Sequence, residues 1–351
     1  MKICFVLPRF SRRPIGGYKI VFEYANRLSQ AGYNVFLLFL NENTFVEFKV
    51  PKCLNKLCSN VMTQLEPTWF PLHKSIKKIS GIETAQKKLI NIDICIATGA
   101  ETVEVCESLF TTAKKFYLIQ GLETWVMTEE ELYRTFNAGF TNIVVSSWLE
   151  KIVDEHCNKK SILIKNPIDL TTYIPSTPIE KRDKYSIGLL YHSGEYKGLK
   201  YSIEALKILK EKYPELKVYM FGTSEPKEKI PGLVKFVRDA SQMQTINLYN
   251  KISVFMCSSI NEGYGLTAME AMACGAAVAS TNYDGIYEYG IDGINCLLSP
   301  IRNVDAMVKN ISKLFDEDEL RYRISKQGRK SLASFDWKIA FEKFEMAITE
   351  G

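Results

Sequence analysis

Two glutamates eight positions apart, Glu262 and Glu270, are the residues whose type and spacing point most directly to chemistry. The apolar run 252–257 predicts a short buried strand, and residues 266–273 have the helix formers and apolar spacing of a buried helix. Eight residues along a helix turn about 800°, or about 80° beyond two full turns, so two helical carboxylates would not share one stripe. We therefore place Glu262 in the loop before the helix and Glu270 about one turn inside it.

The loop between these acids is rich in glycine. Gly263 and Gly265 let backbone N–H groups approach a ligand at the start of the helix, where the partial positive charge favours phosphate or a developing anion. One carboxylate then faces the reacting part of a ligand, while the other binds a more remote polar part. Sugar hydroxyls are good candidates, because carboxylate oxygens accept hydrogen bonds.

Length and composition are typical of a globular protein with two domains. A chain of 351 residues is too long for one ordinary core and predicts two domains of about 150 to 180 residues. Its 46% hydrophobic and 24% charged content is that of a water-soluble chain, and we recognise neither a signal peptide nor a membrane-spanning run. We expect a cytoplasmic location and no nucleic-acid partner.

Nine cysteines are scattered along the chain, several inside apolar runs, which is typical of reduced core residues. Cys53 and Cys58 form the one close pair, but they have no histidine or second cysteine pair nearby. A zinc site is therefore disfavoured, and we expect no metal.

Strands and helices alternate along both halves of the chain. An apolar strand at 2–7 is followed by a loop, a helix at 18–30 and a second strand at 34–40. The alternation stops in a polar stretch at 171–184, the best linker candidate, and resumes at Tyr185. This pattern predicts an α/β fold with two parallel sheets, whose strand ends meet a ligand in a cleft between the domains.

Two further loops follow predicted strands and are expected to line that cleft. Gly16-Gly17 precedes the first helix and presents N–H groups to a phosphate, although a plain tight turn explains the pair equally well. Lys197 either neutralises a pyrophosphate without a metal or is an ordinary surface lysine before a helix. His192 stands at the end of a strand, as a ligand contact or as a spectator.

The net charge of +5 comes from the first half, because residues 1–168 contain 21 Lys or Arg and 16 Asp or Glu. Residues 73–89 form a basic segment with a single acid, and its lysines are Lys74, Lys77, Lys78, Lys87 and Lys88. Two interpretations remain open. The segment is a surface for anionic lipid or a lipid-pyrophosphate acceptor, which would make the chain peripheral on the inner membrane face, or it is a solvated helix or loop.

Together these motifs resemble the retaining glycosyltransferases of family 4. The resemblance spans nearly the whole chain, and its most specific part is the glutamate-x7-glutamate motif with its Glu-Ala-Met-Ala-Cys-Gly ending. The residues that carry it are Gly16-Gly17, Lys197-Gly198, 262–275 and 292–300.

The resemblance implies the GT-B fold, in which two Rossmann-like domains face each other across a cleft. Residues 1–168 would form an acceptor-binding domain, and residues 169–337 a nucleotide-sugar donor domain. Residues 335–338 resemble the point at which the last helix of that family returns, so 338–351 is expected to pack on the first domain.

Carried onto this sequence, the resemblance implies that Glu262 contacts the transferred sugar, Glu270 the ribose and Lys197 the diphosphate. Amides at the helix start would stabilise the leaving diphosphate, so no metal or other cofactor is required. Glu262 and Lys197 are then the catalytic residues, and the donor-binding set is Gly16, Gly17, His192, Gly263, Tyr264, Gly265, Leu266, Thr267 and Glu270.

The implied reaction moves a sugar, with retention, from a nucleoside-diphosphate donor to a glycan or lipid-linked acceptor in cell-surface polysaccharide synthesis. Where many members have a histidine this chain has Gln120, and its Gln120-x-x-Glu123 pattern resembles polysaccharide rhamnosyltransferases. Gln120 does not act as a base, so Gln120 and Glu123 are expected to bind acceptor or sugar hydroxyls. The alternatives are a GT-B epimerase or phosphorylase, and a non-catalytic donor-binding subunit.

Overall fold

The computed structural model describes residues 1–41 and 52–350, and the chain forms two compact units. One comprises Met1–Asn166 with Ala340–Gly351, and the other comprises Pro167–Ile339. Each unit contains one parallel sheet with helices between its strands, which confirms the predicted α/β class.

The first unit contains seven strands and six of the described helices. Its strands are β1 Lys2–Leu7, β2 Asn34–Phe39, β3 Lys77–Ser80, β4 Ile94–Ala97, β5 Lys114–Ile119, β6 Thr141–Val144 and β7 Ile162–Leu163. Its helices are α1 Gly16–Gln30, α2 Lys52–Leu65, α3 Ile82–Lys88, α4 Val103–Leu109, α5 Glu129–Phe136 and α6 Ser147–Glu155. The strand order is β3-β2-β1-β4-β5-β6-β7. The central strands read as unbroken apolar runs because helices cover both faces of the sheet.

The second unit repeats this plan with six strands. They are β8 Asp183–Tyr191, β9 Lys217–Gly222, β10 Leu233–Arg238, β11 Ile252–Cys257, β12 Ala277–Thr281 and β13 Leu297–Ser299. The helices are α7 Leu199–Lys212, α8 Gln242–Tyr249, α9 Leu266–Ala273, α10 Val304–Asp316, α11 Asp318–Ser331 and α12 Trp337–Glu350. The strand order is β10-β9-β8-β11-β12-β13, and α12 continues into the first unit from Ala340 onwards.

In both sheets the order in which strands are added reverses at the first strand, which is called a switch point. In the first unit β1 pairs with β2 on one side and β4 on the other, and β8 lies in the same way between β9 and β11. The loops after the two central strands diverge at such a switch point and leave a crevice, which is where ligands bind in open parallel sheets. The fold therefore selects the loops after β1, β4, β8 and β11 as candidate sites.

Two strands and two helices were missed by the sequence prediction: β3, β10, α2 and α5. Both strands lie at the edge of their sheets, where side chains are exposed and the apolar pattern is weak. The interpretation of residues 73–89 as a helix or loop is accordingly wrong in part, because Lys77 and Lys78 lie on β3. Lys87 and Lys88 end the helix α3.

Candidate functional site

The loops after β8 and β11 bring Lys197 and Glu262 together. Lys197 ends a short 3-10 turn, and Gly198 caps the start of α7 with a φ of 62°. A Cβ at Gly198 would run into the carbonyl oxygen of Ser258, so glycine allows the two loops to approach each other. The two residues that were expected to be catalytic therefore lie side by side in the second unit.

Lys197 and Glu262 form a largely buried ion pair. Lys197 Nζ lies 2.7 Å from Glu262 Oε2, and the side chains are 19% and 9% exposed. Ser259 Oγ donates a hydrogen bond to the other carboxylate oxygen. Burial is the largest single effect and acts to lower the pKa of Lys197, but the charge of Glu262, its hydrogen bond and smaller contributions together leave that pKa above its ordinary value. Lys197 is therefore a cation at neutral pH, held in place by its partner.

The start of α9 adjoins this pair. Gly265 caps the helix with a φ of 86°, and a Cβ there would collide with the hydroxyl of Tyr283. The first amides of a helix have no acceptor within the helix and carry partial positive charge. One pocket joins this helix start to the ion pair, and its lining includes Lys197, Ser259, Glu262 and Thr267. A cation and a helix N-terminus at one pocket suit a phosphate.

His192 lies at the end of β8 and faces the same charges. The backbone N–H of Gly194 donates to His192 Nδ1 at 3.0 Å, so the neutral ring carries its proton on Nε2. Burial and then the positive charge of Lys197 lower the pKa of His192, although Glu262 acts in the opposite direction. At neutral pH the ring is therefore an uncharged hydrogen-bond donor.

Glu270 is oriented by tyrosines that the sequence analysis did not identify. Tyr173 donates to its Oε1 at 2.7 Å and Tyr249 donates to its Oε2 at 3.1 Å. Gln242 Nε2 in turn donates to the Tyr173 hydroxyl at 3.3 Å. Each of these partners is distant from Glu270 in the sequence, so only the folded chain reveals the contact.

The predicted loop residue Tyr264 turns its side chain into the second unit. Tyr264 is buried, and its ring packs against Tyr289, with 5.7 Å between the ring centroids. Tyr289 also donates a hydrogen bond to the carbonyl of Gly265 at 2.7 Å. The Tyr264 side chain thus packs in the interior and supports the loop, so Tyr264 would contact a ligand through its backbone.

A second polar cluster occupies the switch point of the first unit. Gln120, just after β5, donates from Nε2 to the carbonyl of Gly17 at 3.2 Å. Glu123 Oε2 accepts a hydrogen bond from the backbone N–H of Ala100 at 2.5 Å. Burial raises the pKa of Glu123 to about 7, although the Ala100 bond acts to lower it. Gly16 and Gly17 begin α1 beside this cluster, so the first unit gathers four of the predicted residues.

Metal ligands do not cluster within residues 1–41 and 52–350, where no group of three or more His, Cys, Asp or Glu side chains could hold an ion. Cys58 is exposed, and the Cys53 side chain lies outside the described residues. The same described ranges contain no helix long and apolar enough to cross a membrane.

The lysines of the basic segment differ in their surroundings. Lys78 Nζ donates to the carbonyl of Glu66 at 2.6 Å and to that of Gln64, so it joins the end of α2 to β3. Burial lowers its pKa, partly offset by the charge of Glu66. The other four are exposed on the surface of the first unit: Lys74, Lys77, Lys87 and Lys88.

Comparison with known proteins agrees with this geometry. Residues 177–331 match the family described as Glycosyl transferases group 1, and they fall within the second unit. An uncharacterised glycosyltransferase of Haemophilus influenzae is 23% identical over 340 residues, or 92% of this chain and 93% of that one. Most of the second unit is therefore similar to glycosyltransferases, and the chain as a whole has the GT-B fold.

Two further likenesses bear on this GT-B chain. The capsular polysaccharide biosynthesis glycosyltransferase CapM of Staphylococcus aureus is 27% identical over 177 residues, which is less than half of either chain. The crystal structure of Anabaena Alr3699/HepE in complex with UDP-glucose has a TM-score of 0.76 at 14% identity and covers 100% of both chains. The latter likeness supports the fold.

Proposed function

We propose that the protein transfers a sugar from a nucleoside-diphosphate donor to a glycan or lipid-linked acceptor, with retention of anomeric configuration. The observation that carries the proposal is the buried Lys197–Glu262 pair beside the N-terminus of α9. A diphosphate needs a cation and amide donors, and a sugar needs a hydrogen-bonding carboxylate. This pocket holds all three within a domain of the glycosyltransferase family.

Lys197 and the amides of Leu266 and Thr267 bind the diphosphate and stabilise the charge that develops on it as the glycosidic bond breaks. Lys197 leaves Glu262 for the diphosphate, and the released Glu262 carboxylate then accepts hydrogen bonds from sugar hydroxyls. His192 adds a neutral donor from Nε2. Because helix and lysine supply the positive charge, no metal is required for this step.

Glu270 is assigned to the ribose of the nucleotide. Its carboxylate is held in one orientation by two tyrosine hydroxyls, and a fixed carboxylate loses little freedom when it binds a diol. In the first unit, Gln120 and Glu123 are assigned to acceptor or sugar hydroxyls. The acceptor hydroxyl attacks the face that the phosphate leaves and passes its proton to the departing phosphate oxygen, which accounts for retention without a nucleophilic carboxylate opposite the leaving group.

Cell-surface polysaccharide synthesis is the proposed setting, supported by the match to the capsular glycosyltransferase CapM. UDP-sugars are the first donors to test, since HepE was crystallised with UDP-glucose. The Gln120-x-x-Glu123 pattern favours a deoxysugar such as rhamnose. We assign the four exposed lysines of the basic segment to attraction towards an anionic membrane surface.

The test begins with a thermal-shift screen of nucleotide sugars, because a ligand that binds the folded chain raises its apparent stability. Transfer from the best donor is then measured for the wild type and for Glu262→Gln, with Glu195→Gln, an exposed carboxylate of the Lys197 loop, as matched control. We expect Glu262→Gln to lose at least about 100-fold in turnover while the control keeps its activity. Near-wild-type transfer by Glu262→Gln would refute the proposal, and donor binding without transfer by the wild type would point to a binding subunit.

A further inference from the structure

Helix α2 presents its apolar side to solvent. Its large apolar residues recur three and four positions apart, so they lie on one face of the helix. Each is between 49% and 62% exposed, and the set is Leu54, Leu57, Val61 and Leu65. We call these four side chains the outer stripe.

The opposite face of α2 is polar and buried. Ser59 and Thr63 are 5% and 0% exposed where the helix packs on β3. Asn41 Nδ2 donates to Thr63 Oγ1 at 2.9 Å and to Ser80 Oγ at 2.8 Å, and Ser59 Oγ donates to Asn55 Oδ1 at 3.3 Å, so the buried hydroxyls have partners. A surface helix of a globular protein ordinarily buries its apolar stripe and shows its polar face. This helix does the reverse: its polar face packs on β3, and its leucines face solvent.

The surroundings of the outer stripe are strongly basic. Residues 52–88 contain seven lysines and two glutamates, a net charge of +5 that equals that of the whole chain. Both glutamates have positive partners, since Arg12 lies 3.6 Å from Glu66 and Lys56 pairs with Glu83. The partner of this surface must therefore offer both an apolar environment and negative charge.

An anionic lipid bilayer offers both. An interfacial helix lies in the membrane plane, with its apolar face among the acyl chains and its lysines at the headgroup phosphates. A second copy of this chain offers the apolar face but brings the same excess of lysine, so like charges oppose self-association here.

We propose that α2 docks the first unit on an anionic membrane by inserting the outer stripe, with the neighbouring lysines on lipid phosphates. The proposal deepens the proposed function and rests on it for its purpose, because a lipid-linked acceptor is presented at the same surface. The docking itself is measured without any transfer reaction.

The experiment is co-sedimentation of the full chain with phosphatidylcholine vesicles, with and without about one-third phosphatidylglycerol. Leu57→Gln with Leu65→Gln removes half of the outer stripe while keeping good helix formers. The matched control is Ile208→Gln with Met243→Gln, two apolar residues that are 40% and 64% exposed on α7 and α8. We expect wild type and control to bind the anionic vesicles, and the α2 double variant to bind at least about 10-fold more weakly.

Binding of the wild type to neither vesicle, or to both equally, overturns the proposal, and so does an α2 double variant that binds as wild type. Light scattering that shows a dimer lost in this variant also overturns it in favour of a protein interface. Hydrolysis of the nucleotide sugar without vesicles should be unchanged in the α2 double variant. Failure of the proposed function is recognised separately, by undiminished transfer in Glu262→Gln.

Discussion

Replacing Glu123 by glutamine should change how the stability of the first unit depends on pH. In the folded chain the pKa of this carboxyl group is raised by burial from 4.5 to about 7. Glutamine keeps the shape and an oxygen to accept the Ala100 N–H, but it does not titrate. The difference between wild type and variant therefore isolates one proton.

The sign and size follow from linkage. Between pH 4.5 and about 7 the folded chain holds a proton on Glu123 that the unfolded chain has lost, so folding stability falls as pH rises. Above about pH 7 both states are ionised and the loss is complete. With these two pKa values, the wild type should lose about 2.5 kcal/mol relative to Glu123→Gln between pH 5 and pH 8.

Urea unfolding of both chains at four pH values from about 5 to 8 measures this difference, with the exposed Glu104→Gln as matched control. Carbon-13 NMR of labelled glutamate carboxyl groups identifies the titrating signal, which should be missing from Glu123→Gln. Parallel stability curves for the wild type and Glu123→Gln, or a Glu123 signal that titrates near 4.5, would contradict the reasoning.

Two more changes test the second unit. Lys197→Met leaves the buried Glu262 carboxylate without its cation and should lower the free energy of unfolding by about 3 kcal/mol. Adding Glu262→Gln should recover much of this loss in a double-mutant cycle measured by urea unfolding, and additive losses would mean that the pair is not coupled. Gly265 has a φ of 86°, and Gly265→Ala places a methyl group against the Tyr283 hydroxyl, which should lower the free energy of unfolding by about 2 kcal/mol. Tyr283→Phe should partly restore this stability in the same assay, and an unchanged stability of Gly265→Ala would refute the steric argument.

The central strands of both sheets were predictable because burial on both faces leaves an uninterrupted apolar run. The edge strands β3 and β10 were not, since one side of an edge strand meets water and tolerates lysine. Helix α2 was not predicted for a related reason. Its buried face is polar and its apolar face is exposed, so the periodicity of its apolar residues does not show which face packs on the sheet.

The candidate site was likewise predictable only in part. Glu262, Lys197 and the glycine-capped helix start were identified because their types and local spacing carry the chemistry. Their pairing depends on two loops that are separated by 65 positions but follow adjacent strands. The tyrosines on Glu270 were missed because a hydroxyl far along the chain leaves no local pattern.

Helix α12 has a consequence for how the chain matures on the ribosome. Phe344 is fully buried in the first unit, where its ring stacks on Tyr24 at 4.0 Å between centroids and on Phe5 at 6.3 Å. Residues 1–166 emerge from the ribosome long before Phe344 is synthesised. Until then, Tyr24 and Phe5 lack the ring that packs on them in the folded chain. The first unit is therefore completed only after the whole second unit has been synthesised, although most of its residues come first in the chain.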